Sequence, residues 1–130
     1  MSGILDENQF NAEFGQFQQE FPGFGELILL TKEGKIVFST KSGFFTDEDA
    51  KTLINTWFTH QSAVVWGTDR FPILNWEELQ FAARNVHGKG ALVGTKTKSG
   101  LYAVVHIKPD GSIPPSLGAI HLNRWIWNRC

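Results

Sequence analysis

The chain is poor in the residues that most directly announce chemistry. Its 130 residues include one cysteine, Cys130, and one tyrosine. A lone thiol has no partner within the chain, so an internal disulfide and a cysteine-ligated metal are excluded, which fits a reducing compartment. No run of about 18 apolar residues occurs, so a membrane-spanning helix is not expected. The opening Met1-Ser2-Gly3-Ile4 offers neither a basic nor an apolar segment, and no secretory signal is expected. Four histidines, His60, His87, His106 and His121, stand too far apart for HxH, HExxH or HxxxH pairing, so zinc ligation is not expected. G-x-S-x-G is absent, and Gly88-Lys89-Gly90 lacks the rest of a phosphate loop, which leaves it as a tight basic turn. The acidic run Asp47-Glu48-Asp49 suits a helix N-terminus, and Glu77-Glu78 suits a solvent-facing strand edge. Neither pair suggests acid–base work. The chain is not expected to be an enzyme or to need a cofactor or metal.

What is present points to a folded domain. Hydrophobic residues make up 42% and charged residues 19%, too apolar for a disordered chain. The length fits a single domain over residues 1–130, burying roughly two-thirds of the surface that the unfolded chain exposes. The formal net charge of −1 conceals a strong polarity. Residues 1–78 carry twelve acids against five bases, a net of −7, whereas residues 79–130 carry seven bases against Asp110 alone, a net of +6. Such a chain either docks its basic part on an acidic surface or interleaves its halves in space so that the charges cancel.

Periodicity supplies the elements. Phe10, Phe14, Phe17 and Phe21 form a one-sided helical stripe over residues 6–21, ended by Pro22-Gly23. Residues 26–31 and 35–39 are β-rich runs around Glu33-Gly34 and read as a hairpin. In Phe44-Phe45-Thr46-Asp47-Glu48-Asp49, Thr46 is the cap of a second helix, Asp49 its reciprocal acid and Phe45 the apolar residue before the cap. Ala50, Leu53, Ile54 and Trp57 form the buried stripe of that helix. Strands are expected at 63–66, 71–75, 78–84, 91–97 and 101–107, and Lys108-Pro109-Asp110-Gly111 is a turn. Pro114-Pro115 opens a last helix over 116–127. Trp125 and Trp127, two apart on that helix, face different ways, so one of them is either exposed or capping the core. Helices set around a meander of strands read as α+β.

The order of elements and the run from Gly88 to Ile107, with its Thr95-Lys96-Thr97-Lys98 hairpin and the Pro-started helix that follows, resemble profilins. The resemblance spans nearly the whole chain through architecture and short strings. Its divergence is of an Asgard archaeal or protist kind rather than an animal or plant one. It implies a central antiparallel sheet with the N- and C-terminal helices on one face and a further helix on the other. It also implies binding of monomeric actin, whose exposed face is acidic, in the cytoplasm and at the cytoskeleton, by a monomeric protein. By position the actin-facing residues are Arg70 and Asn75, Arg84 and Lys89, then Ser116, Gly118 and Asn123. Basic residues Arg84, Lys89, Lys96 and Lys98 correspond to the family's phosphoinositide-binding surface, in competition with actin. The family's groove for proline-rich peptides corresponds to Phe10, Phe14, Phe38, Trp125 and Trp127. Phenylalanine stands at positions 10, 14 and 38 where the family offers Trp or Tyr, and it has no N–H or O–H to donate, so this binding is expected to be weak or absent.

Other functions fit the same elements. A roadblock- or longin-like scaffold of a small-GTPase or trafficking complex shares a helix-flanked sheet and dimerises. A small-molecule or nucleotide sensor is a third possibility. Nucleic acid is not an expected partner, because the basic half lacks exposed aromatic strand pairs.

Overall fold

The structure, a computed structural model, describes residues 6–41, 43, 45–110 and 113–130. The expectations placed on Met1 to Ile4, Phe44 and Gly111 lie outside the described residues. Helix α1 (Glu7–Glu20) begins at Asp6, whose carboxylate accepts the Gln9 N–H at 3.1 Å. Its stripe is buried at Phe10, Phe14 and Phe17. Strands β1 (Phe24–Leu30) and β2 (Ile36–Ser39) form the expected hairpin. Its turn needs Gly34 at φ +84° with Lys51 backbone packed where a Cβ would stand. Helix α2 (Asp47–Phe58) carries the full capping box. Thr46 Oγ1 accepts the Asp49 N–H, and Asp49 accepts the Thr46 N–H, both at 3.0 Å.

Strands β3 (Ala63–Trp66), β4 (Asp69–Trp76), β5 (Gln80–Arg84), β6 (Ala91–Lys96) and β7 (Tyr102–Ile107) follow, then α3 (Pro115–Ile126). Most boundaries shift by one or two residues from expectation, and two of the shifts have a local cause. The run expected as a strand from residue 78 starts at Gln80, because the Glu77 N–H donates to the Gln80 carbonyl at 2.8 Å and closes a turn there. Glu77-Glu78 therefore lies in a turn, not on a strand edge. The last helix starts at Pro115, where a missing N–H costs nothing, and Trp127 is its C-cap.

All seven strands join one sheet in the order β2-β1-β7-β6-β5-β4-β3, every pair antiparallel. The period of two along each strand sorts its apolar residues between two cores. Leu27 and Leu29 of β1, Val93, and Val105 join the phenylalanines of α1 and Leu122 and Ile126 of α3. Ile28, Leu30, Leu92 and Val104 face the other way, onto Leu53, Ile54 and Trp57 of α2. The α+β arrangement expected from the family resemblance, two terminal helices on one face and one helix on the other, is the one observed.

Candidate functional site

The basic turn between β5 and β6 is built around Asn85. This side chain is 6% exposed and uses both ends of its amide. Nδ2 donates to the Arg70 carbonyl at 2.8 Å, and Oδ1 accepts the N–H groups of His87 at 2.7 Å and Lys89 at 3.1 Å. The Asn85 N–H donates to the Gly90 carbonyl at 2.9 Å. On the far side of the turn, His106 Nε2 lies 2.7 Å from the Lys89 carbonyl, a contact that puts the ring proton on Nε2. A Cβ on Gly90 would strike the Ile107 carbonyl, so only glycine lets the turn sit this close to β7. Arg84, Gly88, Lys108, Pro109, Ile113 and Pro115 surround an open cleft of about 250 Å³ at this end of the sheet. Among the described residues the one ion pair is Arg129 with Glu13, so Arg84, Lys89 and Lys108 carry charge with no carboxylate within ion-pair reach.

Arg70 is exposed on β4, its carbonyl held by Asn85. Asn75 stands just after a register shift in β4 and donates to Glu77 at 3.1 Å. It shares a cleft of about 100 Å³ with Ser116 and Ile120 of α3. Val86 at 73%, Leu74 and Leu117, which neighbour Asn85, Asn75 and Ser116 in the chain, are exposed apolar residues. Two members of the expected set do not belong to this open surface. Gly118 is buried, and a Cβ there would meet Ile107 Cδ1 at 2.7 Å, so its smallness seats α3 on β7. Asn123 donates to Thr95 Oγ1 at 2.7 Å and ties α3 to β6. Both hold the helix in place. Sequence reasoning missed Asn85, His106 and Lys108. The local clue for Asn85 was an amide at the mouth of a Gly-Lys-Gly turn; the contributions of His106 and Lys108 depend on pairing across the sheet.

The four expected lipid-binding cations do not form one patch. Arg84 pairs with Ala91 at the start of β6, and Lys96 is its last residue. Five residue steps at about 3.3 Å put those ends roughly 17 Å apart. Arg84 and Lys89 belong to the Asn85 turn, whereas Lys96 shares a cleft with the β1–β2 turn and the Lys98 N–H donates to the Trp127 carbonyl at the end of α3.

Four of the five expected proline-peptide residues, Phe10, Phe14, Phe38 and Trp125, are brought together, but packed against one another as core. Phe10, Phe14 and Phe38 are all buried. Trp125 lies with its ring centre 5.4, 5.6 and 5.0 Å from Phe10, Phe14 and Phe17, and Phe10 meets Phe38 edge-on at 5.0 Å. Arg129 covers the other side of Trp125 at 4.7 Å, donates to the Trp125 carbonyl, and reaches Glu13 on α1 at 2.9 Å. The hydrogen bond from Arg129, with a second from Gln9, holds the Glu13 carboxyl below its ordinary range. Trp125 is thus the tryptophan that caps the core against α1, and Trp127 stays half-buried at the helix end, its carbonyl accepting from the Lys98 N–H. Cys130 packs at the edge of the same core, and burial pushes its thiol up to about 11. No group of three His, Cys, Asp or Glu among the described residues is placed to hold a metal ion.

No family model matches the chain. It is 32% identical over 125 residues to Loki profilin-3 of Lokiarchaeum sp. (strain GC14_75), covering 95% of this chain and 100% of that one. Its fold is similar to the crystal structure of LokiProfilin1, with a TM-score of 0.76 at 13% identity, over 95% of this chain and 96% of the other. It is likewise similar to LokiProfilin2 solved in complex with rabbit actin, with a TM-score of 0.74 at 13% identity, over 97% and 95% of the two chains. End-to-end sequence identity at this level, on the same sheet order and helix placement, decides between the profilin and scaffold readings of the fold: the chain belongs to the profilin family.

Proposed function

We propose that this protein binds actin monomers and regulates their assembly through the surface made by Arg70, Asn75, Arg84, Lys89 and Ser116. The observation that carries the reading is the Asn85-pinned turn. It holds Arg84 and Lys89, with no carboxylate in ion-pair reach among the described residues, on the turn that also exposes Val86, giving a basic rim beside an apolar contact. That composition suits an acidic protein surface, with charge setting the encounter rate and apolar contacts the lifetime. A Loki profilin of the same fold has been solved with rabbit actin, which supports the same partner for this chain. On this reading the protein works in the cytoplasm, with the cytoskeleton. It has no catalytic role.

The test is actin assembly followed at increasing protein, with actins from several sources. Slower nucleation with dose is expected, and unchanged nucleation and elongation with every actin would overturn the reading. The double variant R84E/K89E is expected to slow association about tenfold at low salt and to flatten the salt dependence, as judged by stopped-flow binding.

Phosphoinositides are the second proposed ligand. Proline-rich peptides are expected to bind weakly or not at all, because Phe10, Phe14 and Phe38 are committed to the core and Arg129 lies over Trp125.

A further inference from the structure

Strand β4 changes partner halfway along. Asp69, Arg70, Phe71 and Pro72 pair with β3, whereas Ile73, Asn75 and Trp76 pair with β5. The Ile73 N–H donates to the Ser62 carbonyl at 2.9 Å, on the β3 side. Alternation along the strand turns the polar edges of Pro72 and Arg70 the other way, toward β5. Pro72 has no N–H to offer there, and no backbone pair among the described residues joins Asp69, Arg70, Phe71 or Pro72 to β5. The Asn85 side chain, just past the end of β5, takes over at that point. Its Nδ2 donates to the Arg70 carbonyl at 2.8 Å, so a side-chain amide stands where a ladder bond is missing. The other end of the same amide accepts from the His87 and Lys89 N–H groups. His106 gives the turn a second hold, with Nε2 2.7 Å from the Lys89 carbonyl and its ring edge-on to Phe71 at 5.9 Å.

We propose that Asn85 is a positioning residue whose two amide ends have separate roles. Oδ1 shapes the basic turn, while Nδ2 fixes the β3–β4 hairpin, and with it Arg70, in one rigid array with Arg84 and Lys89. The consequence for actin rests on the reading above; the hold on the hairpin does not. Asn85 is 6% exposed, so it acts through these neighbours rather than by touching a partner. Val64, Trp66 and Phe71 bury one side of the hairpin in the core. Apolar burial is not directional, so it holds the hairpin down without setting its register against the turn. The amide supplies the directional contact. An Arg70 already in place need not be ordered when a partner binds, which lengthens the life of the complex rather than speeding encounter.

Two substitutions separate the roles. N85D keeps an oxygen for the turn and loses the donor to Arg70, whereas N85A loses both. Without actin, residue-resolved hydrogen exchange in N85D is expected to quicken about fivefold across the β3–β4 hairpin, with the His87 and Lys89 amides unchanged. N85A is expected to release both groups of amides. Unchanged hairpin exchange in N85D, release of hairpin and turn together in N85D, or failure of N85D to fold would overturn the division of roles. With actin, the added charge of N85D slows association in a salt-dependent way, so the dissociation rate is the informative quantity. N85D and R70A are each expected to raise that rate about fivefold, and R70A/N85D to stay within about twofold of either single variant. Multiplying effects of the two substitutions, or an unchanged dissociation rate in N85D, would overturn the role in binding. The expected exchange pattern in a protein that binds no actin would leave the hold on the hairpin standing and remove only the actin reading.

Discussion

The two faces of the sheet are both packed with aromatic rings, yet they are closed in different ways. Over one face lie two helices, α1 and α3, and two helices leave a seam. Trp125 fills that seam only partly, with Phe10, Phe14 and Phe17 beneath it and Arg129 on top. The other face has one helix, and the curl of β3 and β4 supplies the remaining cover. There Trp57 is 4% exposed and meets Phe81 and Tyr102 edge-on at 4.9 and 5.0 Å, while Phe45 and Trp66 close the rim. A large ring at the centre of a single-helix face has no solvent side. A ring in a seam between two helices keeps one, and here a cation occupies it.

This contrast sets the order of the expected effects. Trp57→Ala is expected to cost about 3–5 kcal/mol, because it opens a cavity that Phe81 and Tyr102 are too well packed to fill. Trp125→Ala, at the half-covered seam, is expected to cost about 1–2 kcal/mol. Urea denaturation with matched slopes measures both, and equal costs would erase the distinction between the faces.

The glycines on the two faces sharpen it further. A Cβ on Gly94 would strike the Phe81 ring and stand 2.9 Å from Trp57, and both rings are buried. Gly94→Ala is therefore expected to destabilise by about 1–3 kcal/mol. At Gly118 the obstacle is Ile107 Cδ1, the free end of a flexible side chain. The helix also gains about 1 kcal/mol from alanine over glycine. The two effects offset, and Gly118→Ala is expected to leave the denaturation midpoint nearly unchanged.

The smallest effect is at the seam itself. Glu13 has its carboxyl held low by Arg129, so its pairing contributes fully above the ordinary carboxylate range and is lost as pH falls through the lowered native value. Hydrogen exchange of α1 amides should quicken relative to α2 amides over that acid interval. Arg129→Ala should abolish the difference in pH response. An unchanged α1-to-α2 ratio in the parent would mean that the pair does not hold the seam.

Much of this architecture is legible in local spacing. The four-three-four rhythm of Phe10, Phe14, Phe17 and Phe21, the Thr46–Asp49 box and the Glu33-Gly34 turn each lie within one or two helical turns or one hairpin, and each forms where its residues indicate. The strand expected from residue 78 failed at its first two residues because a short hydrogen-bonded turn at Glu77–Gln80 outweighs apolar alternation. Site residues were harder to read, for a physical reason. Arg84 and Lys96 are twelve residues apart in the chain, and only the β5–β6 register reveals that they occupy opposite ends of a strand. Gly118 and Asn123 sit at helix positions where sequence cannot distinguish an outward side chain from one aimed at Ile107 or Thr95.

The sheet's open ends have a consequence for solubility. Its two edge strands, β2 and β3, are four residues each, the shortest of the seven. A foreign strand docking on either edge would gain few ladder bonds for the entropy it surrenders. Lys35 and Lys41 flank β2, so a second copy approaching that edge would have to bring like charges together. Filament growth by edge-to-edge stacking of this protein is therefore poorly rewarded at both margins, a useful property in a molecule proposed to govern the polymerisation of another.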